Sequence, residues 1–139
     1  SMSEYNSKMI DYMNDVKDFN FHNGIKIVKI SEGYAECRAE LSPESNNAQG
    51  IAHGGLIFAL ADVSSGYAAD YADRECVTSN GNINFLRPAM GRYLKAVAKP
   101  IKVGKKISVV ECSVTDDRGK LIALATFTYC FIDCATTQE

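Results

Sequence analysis

The stretch NNAQGIAHGGLIFALADVSSGYAAD, Asn46 to Asp70, decides how this chain folds. From Gly54 to Ala69 nearly every residue is apolar or small, and a single carboxylate, Asp62, interrupts the run. The apolar character continues to about Ala72. A segment of roughly 18 residues is too long for a typical strand and suits a helix. Leu56, Ile57, Phe58, Leu60, Val63 and Tyr67 fall on every side of that helix and leave it no solvent face. Such a helix has to be enclosed by the rest of the molecule.

The flanking sequence supplies the enclosure. After the helix come four β-rich runs, CVTSNGNINFL, YLKAVAKPI, ISVVECSVT and LIALATFTYCFI, punctuated by Pro88, by KVGKK and by the tight turn DDRG. Before it come two shorter strands, IKIVKI and YAECRAEL, joined at Glu32-Gly33, and then the polar loop SPESNNAQG. At the amino end Tyr5, Met9, Tyr12, Met13 and Val16 recur at helical spacing, which predicts a short amphipathic helix over about 4–17 that ends before DFNFHNG. One helix segregated from six strands argues α+β, with an antiparallel sheet curved around a long central helix. Residues 1–139 suit one domain. A sheet of this size covers the helix incompletely, so a second copy is expected as the lid.

Bulk properties exclude several classes of function. A net charge of −2 gives no global attraction to nucleic acid or to an anionic membrane. No apolar run is long enough to span a bilayer and no signal peptide is visible; Ser1 ahead of Met2 reads as a tag remnant. The five cysteines, Cys37, Cys76, Cys112, Cys130 and Cys134, are odd in number and widely spread, which fits a reducing, cytoplasmic setting. His22 and His53 form no metal-ligand pattern.

Asp62 is the first candidate for chemistry. Burying an unpaired carboxylate costs several kcal/mol. Its helical neighbours would be Phe58, Ala59, Ser65 and Gly66, none of them a cation. Either Asp62 reaches water or loop backbone at the sheet's edge, or it is held in an apolar cleft as a base or nucleophile. His53-Gly54-Gly55 opens the helix. There, unpaired N–H groups and the positive dipole end make an oxyanion site, and glycine lets a ligand oxygen come close. The blander alternatives are a Gly-Gly that makes the turn and a His53 that packs or orients. Asn47, in the preceding loop, could hold a water or a carbonyl, or could close an Asx-turn. Thr78 and Ser79 could supply a hydroxyl, or could be ordinary strand composition.

Taken in order, Asn47, His53-Gly54-Gly55, Asp62, then INFLRPA, GKK and DDRGKLIALATFTY resemble the hotdog-fold acyl-CoA thioesterases, and among them the phenylacetyl-CoA thioesterase-like (PaaI-like) branch. The resemblance covers roughly Phe21 to Phe131; HGGLIFALAD is its most specific block and NFLRPA the second. It implies a long helix wrapped by an antiparallel sheet, assembly as a homodimer or homotetramer, and an acid that faces the His-Gly-Gly helix start of the partner subunit. Carried over, Asp62 is the catalytic acid, Gly54 N–H polarises the thioester carbonyl, His53 belongs to the same helix start, and Asn47 positions water or carbonyl. Thr78 fits the hydroxyl that often follows the helix, with Ser79 as runner-up.

The implied reaction is hydrolysis of an acyl-CoA to free acid and CoA. It needs no cofactor, since coenzyme A is part of the substrate. Asp62 would act as general base on a water, or would attack directly to give a mixed anhydride. Lys102, Lys105, Lys106, Arg87 and Arg118 are candidates for the CoA phosphates. Leu56, Phe58 or Leu60 would contribute to an apolar acyl pocket. Two other readings share the fold: a dehydratase or hydratase on acyl-CoA or acyl carrier protein, for which the expected His-x-x-x-Pro-Gly segment is absent, and a non-catalytic acyl-CoA-binding module.

Overall fold

The computed structural model describes residues 4–69 and 74–132. The expected end of the central helix near Ala72, and Cys134, lie outside the described residues. Two short helices, α1 (Ser7–Asn14) and α2 (Phe19–His22), precede β1 (Ile25–Ser31) and β2 (Tyr34–Glu40). Then follow the central helix α3 (Gly54–Ala69), β3 (Cys76–Phe85), β4 (Tyr93–Val103), β5 (Ile107–Asp116) and β6 (Leu121–Phe131). The six strands form one antiparallel sheet in the order β1-β2-β4-β5-β6-β3. The α+β arrangement expected from the sequence is the one observed.

Helix α3 turns Leu56, Ile57, Leu60, Ala61, Ser64, Ser65 and Ala68 into the sheet. There they meet alternating inward residues such as Cys37, Leu94, Ala96, Val110, Cys112, Val114, Ala123 and Phe127, all at 0% exposure. This is the period-3.6 face of a helix set against the period-2 faces of strands. The helix runs alongside β3 yet touches all six strands, which requires the sheet to curl around it. The opposite side of α3 stays half-exposed at Phe58, Ala59, Asp62, Val63, Gly66 and Tyr67. One sheet therefore leaves an apolar helix face only partly covered.

The amino end differs from expectation. Helix α1 is shorter than 4–17: Asn6 caps it by accepting the Met9 N–H at 2.9 Å. DFNFHNG, expected to lie outside any helix, holds α2, because the Asp18 carboxylate accepts the Phe21 N–H at 3.0 Å and starts a turn. Strand β4 runs past Pro100, as the run YLKAVAKPI predicts, and ends at Val103. A register shift between Pro100 and Lys102 absorbs the missing N–H.

The two sheet edges are unlike. At β1 the edge carries Lys26 and Lys29, shifts register between Ile27 and Lys29, and is capped where Tyr5 N–H donates to the Ile30 carbonyl at 2.9 Å. These features blunt an edge. Strand β3, CVTSNGNINF, has no charge and no proline, and Val77 and Phe85 are 52% and 53% exposed.

Candidate active site

Gly54, Phe58, Asp62 and Gly66 recur every four residues on α3 and so form one stripe. The stripe faces β3, running opposite to it. The Phe85 ring lies 3.4 Å from where a Gly54 side chain would begin. Phe58 sits under Gly81, Thr78 reaches Asp62, and Cys76 Sγ lies 3.9 Å from the Gly66 carbonyl. Gly81 is required by this packing. A methyl group there would lie 2.5 Å from the Phe127 ring and 3.0 Å from that of Phe58.

Asp62 is half-buried, and its Oδ1 accepts two hydrogen bonds. Thr78 Oγ1 donates at 2.8 Å and the Tyr129 hydroxyl at 2.7 Å. Thr78, not Ser79, is the hydroxyl at the acid. A register shift between Thr78 and Asn80 makes Ser79 the bulged residue, and Ser79 Oγ donates to the Thr128 carbonyl at 3.1 Å instead. Around Asp62 opens a cavity of about 500 Å³ lined by Asn20, Val63, Tyr67, Val77, Thr78 and Tyr129, among others.

The helix start makes a second cluster. His53 Nδ1 accepts the Gly55 N–H at 2.8 Å, and the His53 carbonyl accepts from Leu56 and Ile57 at 3.0 and 3.3 Å. His53 is thus the residue that caps α3. An accepting Nδ1 leaves the proton on Nε2 in the neutral ring. Gly54 N–H has no hydrogen-bond partner among the described residues. Asn47 closes an Asx-turn, its Oδ1 accepting from Gln49 and Ile51 at 2.9 and 3.4 Å. That occupies the amide oxygen and leaves the NH₂ as the remaining donor. Asn47 and Gly54 line one cavity of about 300 Å³ with Phe85, Leu86 and Arg87.

Five expected residues therefore fall into two groups, Asp62 with Thr78 and Asn47 with His53 and Gly54, at opposite ends of the stripe. Of the five candidate cations, Arg87 lines the Gly54 cavity; Lys102, Lys105, Lys106 and Arg118 line neither cavity. Leu56, Phe58 and Leu60, expected to contribute to an acyl pocket, line neither cavity. Leu56 and Leu60 point into the sheet at 8% and 0% exposure, and Phe58 packs edge-on against Phe127. Val63, Tyr67 and Val77 border the Asp62 cavity instead. Tyr129 was not among the expected residues. Its signal was available: in TFTYCFI it alternates with Phe127 and Phe131 on the inward face, and there it carries the polar group.

This geometry places an unsatisfied N–H at the start of a helix and, two turns on along the same face, a carboxylate with a directed hydroxyl partner. These are the parts that acyl transfer to water requires. The model of the thioesterase superfamily matches residues 49–123. The chain belongs to that superfamily, in its PaaI-like branch, and is a thioesterase. It is 32% identical over 102 residues to the acyl-coenzyme A thioesterase PaaI of Escherichia coli K12, covering 73% of each chain. It is 31% identical over 118 residues to a putative esterase of Archaeoglobus fulgidus, covering 79% of this chain and 77% of that one. The solved E. coli PaaI structure superposes with a TM-score of 0.81 at 26% identity, over 89% of this chain and 91% of that one. A Bacillus halodurans protein solved with CoA gives 0.66 at 35% identity, over 68% and 65% of the two chains. Among the described residues no helix is long and apolar enough to cross a membrane.

Proposed function

We propose that this protein hydrolyses acyl-CoA thioesters in a site assembled from two copies of the chain. The observation that carries the reading is the placement of Asp62 and Gly54 on one helix face, two turns apart. Eight residues of helix separate them by about 12 Å, too far for both to act on one carbonyl within a chain. The resemblance to E. coli PaaI and to the CoA-bound B. halodurans structure supports CoA as the thiol half.

The bare β3 edge supports the assembly. An uncharged edge strand of ten residues is a template for another strand, and a second β3 satisfies it by symmetry. Phe58 lies midway between Gly54 and Asp62, and Gly81 lies near the midpoint of Thr78 and Phe85. A twofold axis close to Phe58 and Gly81 then brings Asp62 and Thr78 opposite Gly54 of the partner subunit. The same pairing covers the half-exposed face of α3. Tetramers would be built from such dimers.

In this site the thioester oxygen accepts from Gly54 N–H and from the Asn47 amide of one chain. Asp62 of the other takes a proton from water held beside Thr78, and the water oxygen attacks the carbonyl carbon. The tetrahedral oxyanion is stabilised where its charge develops. The C–S bond then breaks, and the thiolate receives the proton from Asp62. His53 keeps the helix start in place so that Gly54 N–H stays exposed to the substrate. Arg87, beside Gly54, is the cation best placed for a CoA phosphate. The reaction so written needs no cofactor. The buried thiols Cys37 and Cys112 suit a reducing, cytoplasmic setting.

Thiol release from a panel of acyl-CoAs, wild type beside Asp62→Asn, tests the reading. Turnover by wild type and its loss in the variant are expected. No thiol release from any acyl-CoA would overturn it.

A further inference from the structure

Tyr129 stands on β6, outside the span matched by the superfamily model, and is 2% exposed. Its hydroxyl lies 2.7 Å from Asp62 Oδ1 and 2.7 Å from the Asp62 backbone carbonyl oxygen. A phenol has one proton to donate. The backbone oxygen lies inside a helix, where an N–H one turn on serves it. The carboxylate oxygen bears charge and is the stronger acceptor. The proton therefore goes to Oδ1, the same oxygen that Thr78 Oγ1 approaches at 2.8 Å. Two donors from two strands, β3 and β6, converge on one oxygen. Among the described residues none hydrogen-bonds Oδ2.

This asymmetry matters because an Asp carboxylate turns easily about its last torsion, and its two oxygens are otherwise equivalent. The donors decide which oxygen is anchored and which meets the cleft. The anchor itself is firm. The Tyr129 ring packs beside Phe127 at a centroid distance of 6.2 Å, and Phe127 meets Phe58 edge-on at 5.2 Å. Burial first, then the Asp62 charge and the hydrogen bond to it, push the Tyr129 hydroxyl far above the ordinary phenol range. It remains a donor throughout the neutral range.

We propose that Tyr129 is a positioning residue for the hydrolysis, tethering Asp62 Oδ1 together with Thr78 so that Oδ2 takes the proton from the attacking water. The role rests on the thioesterase reading above. It predicts that Tyr129→Phe, which keeps the ring and removes the donor, lowers kcat roughly 10- to 100-fold, the range expected for a hydrogen bond to a charged group. KM should stay within about twofold, because nothing that binds the substrate has been removed. A wild-type kcat in Tyr129→Phe overturns the proposal, as does a KM increase that accounts for the whole loss.

A second measurement is independent of turnover. With 3-fluorotyrosine at position 129, fluorine NMR at neutral pH follows the chemical shift of that ring in a background of wild type or of Asp62→Asn. The expected result is a changed shift in Asp62→Asn, since the charged acceptor of the phenol proton is gone while burial remains. Equal shifts would show that the phenol does not bond the carboxylate, and would overturn the tether even in an active enzyme. If wild type releases no thiol, the thioesterase reading falls, and the role in hydrolysis with it. The fluorine shift still decides whether Tyr129 holds Asp62, including where Tyr129→Phe fails to fold.

Discussion

Asp62 and Gly54 share one face of one helix and are held apart by Phe58, which fills the turn between them under Gly81. The helix rise fixes the separation at about 12 Å. Each residue opens to its own cavity, Asp62 beside Thr78 and Gly54 beside Phe85, near the two ends of β3. In the proposed dimer, a twofold axis between those ends would make two whole sites out of four halves.

The oxyanion role proposed for Gly54 can be tested without disturbing the helix. Gly54 is the first residue of α3, where proline is tolerated because that N–H makes no intrahelical bond. Gly54→Pro should leave urea-unfolding stability within about 1 kcal/mol while lowering kcat by roughly 10²–10³, the usual loss for one oxyanion donor. Gly54→Ala keeps the N–H, and its methyl would sit at ordinary contact distance from Phe85, 3.4 Å. It should retain far more activity than the proline variant. Equal activity in the two would remove the N–H from the account.

Gly81 is predicted to be intolerant for a structural reason. A methyl 2.5 Å from the Phe127 ring cannot be accommodated without moving an aromatic ring that is fully buried. Gly81→Ala should cost about 1–3 kcal/mol in urea unfolding, as overpacking does. Phe127→Leu in the same chain should recover part of that loss by giving the methyl room. If Gly81→Ala unfolds at the wild-type midpoint, α3 and β3 are not packed as described.

Stability should fall at alkaline pH. Burial pushes the Cys37 and Cys112 thiols from 9.0 up to about 12. Between those values the unfolded chain loses protons that the folded chain keeps, so stability is present below about pH 9 and declines as pH rises towards 12. Thermal unfolding across that window should show the decline, and Cys37→Ala with Cys112→Ala should make it shallower, the remainder coming from the buried phenols of Tyr67 and Tyr129. A double variant that declines as steeply as wild type would contradict this assignment.

General-base action by Asp62 predicts where solvent oxygen goes. In a single turnover in heavy-oxygen water, the label should appear in the released acid and not in the Asp62 carboxylate. Mass spectrometry of the peptide containing Asp62 reads this directly. Label on Asp62 would mean that it attacks the thioester itself and forms an anhydride.

Much of this was legible in the sequence, for identifiable reasons. The apolar run at Gly54–Ala69 could only be an enclosed helix, and the period-2 runs around it could only be its sheet. The interval of four residues linking Gly54, Phe58, Asp62 and Gly66 is likewise written in the chain. What opposes that stripe is not, because it depends on strand order, and β3 pairs with β6 across a long interval of sequence. The choice between Thr78 and Ser79 was closed to sequence reasoning because a bulge reverses the inward-outward alternation at that point. Tyr129 was overlooked because its partner lies 67 residues away. That Leu56 and Leu60 turn into the sheet was not legible, because a helix apolar on all sides does not announce which side the sheet covers.

The shared site is tested most directly by subunit mixing. Asp62→Asn and Gly54→Pro each disable both sites of a homodimer. In a mixed dimer, one site collects both substitutions and the other collects neither. Dissociating the two inactive variants together and reassembling them should restore roughly a quarter of wild-type thiol release, because about half of randomly paired dimers are mixed and each holds one intact site. If each chain contained its own complete site, every site in the mixture would carry one substitution. Activity would then stay at the level of the separate variants, and the two-chain site would be wrong.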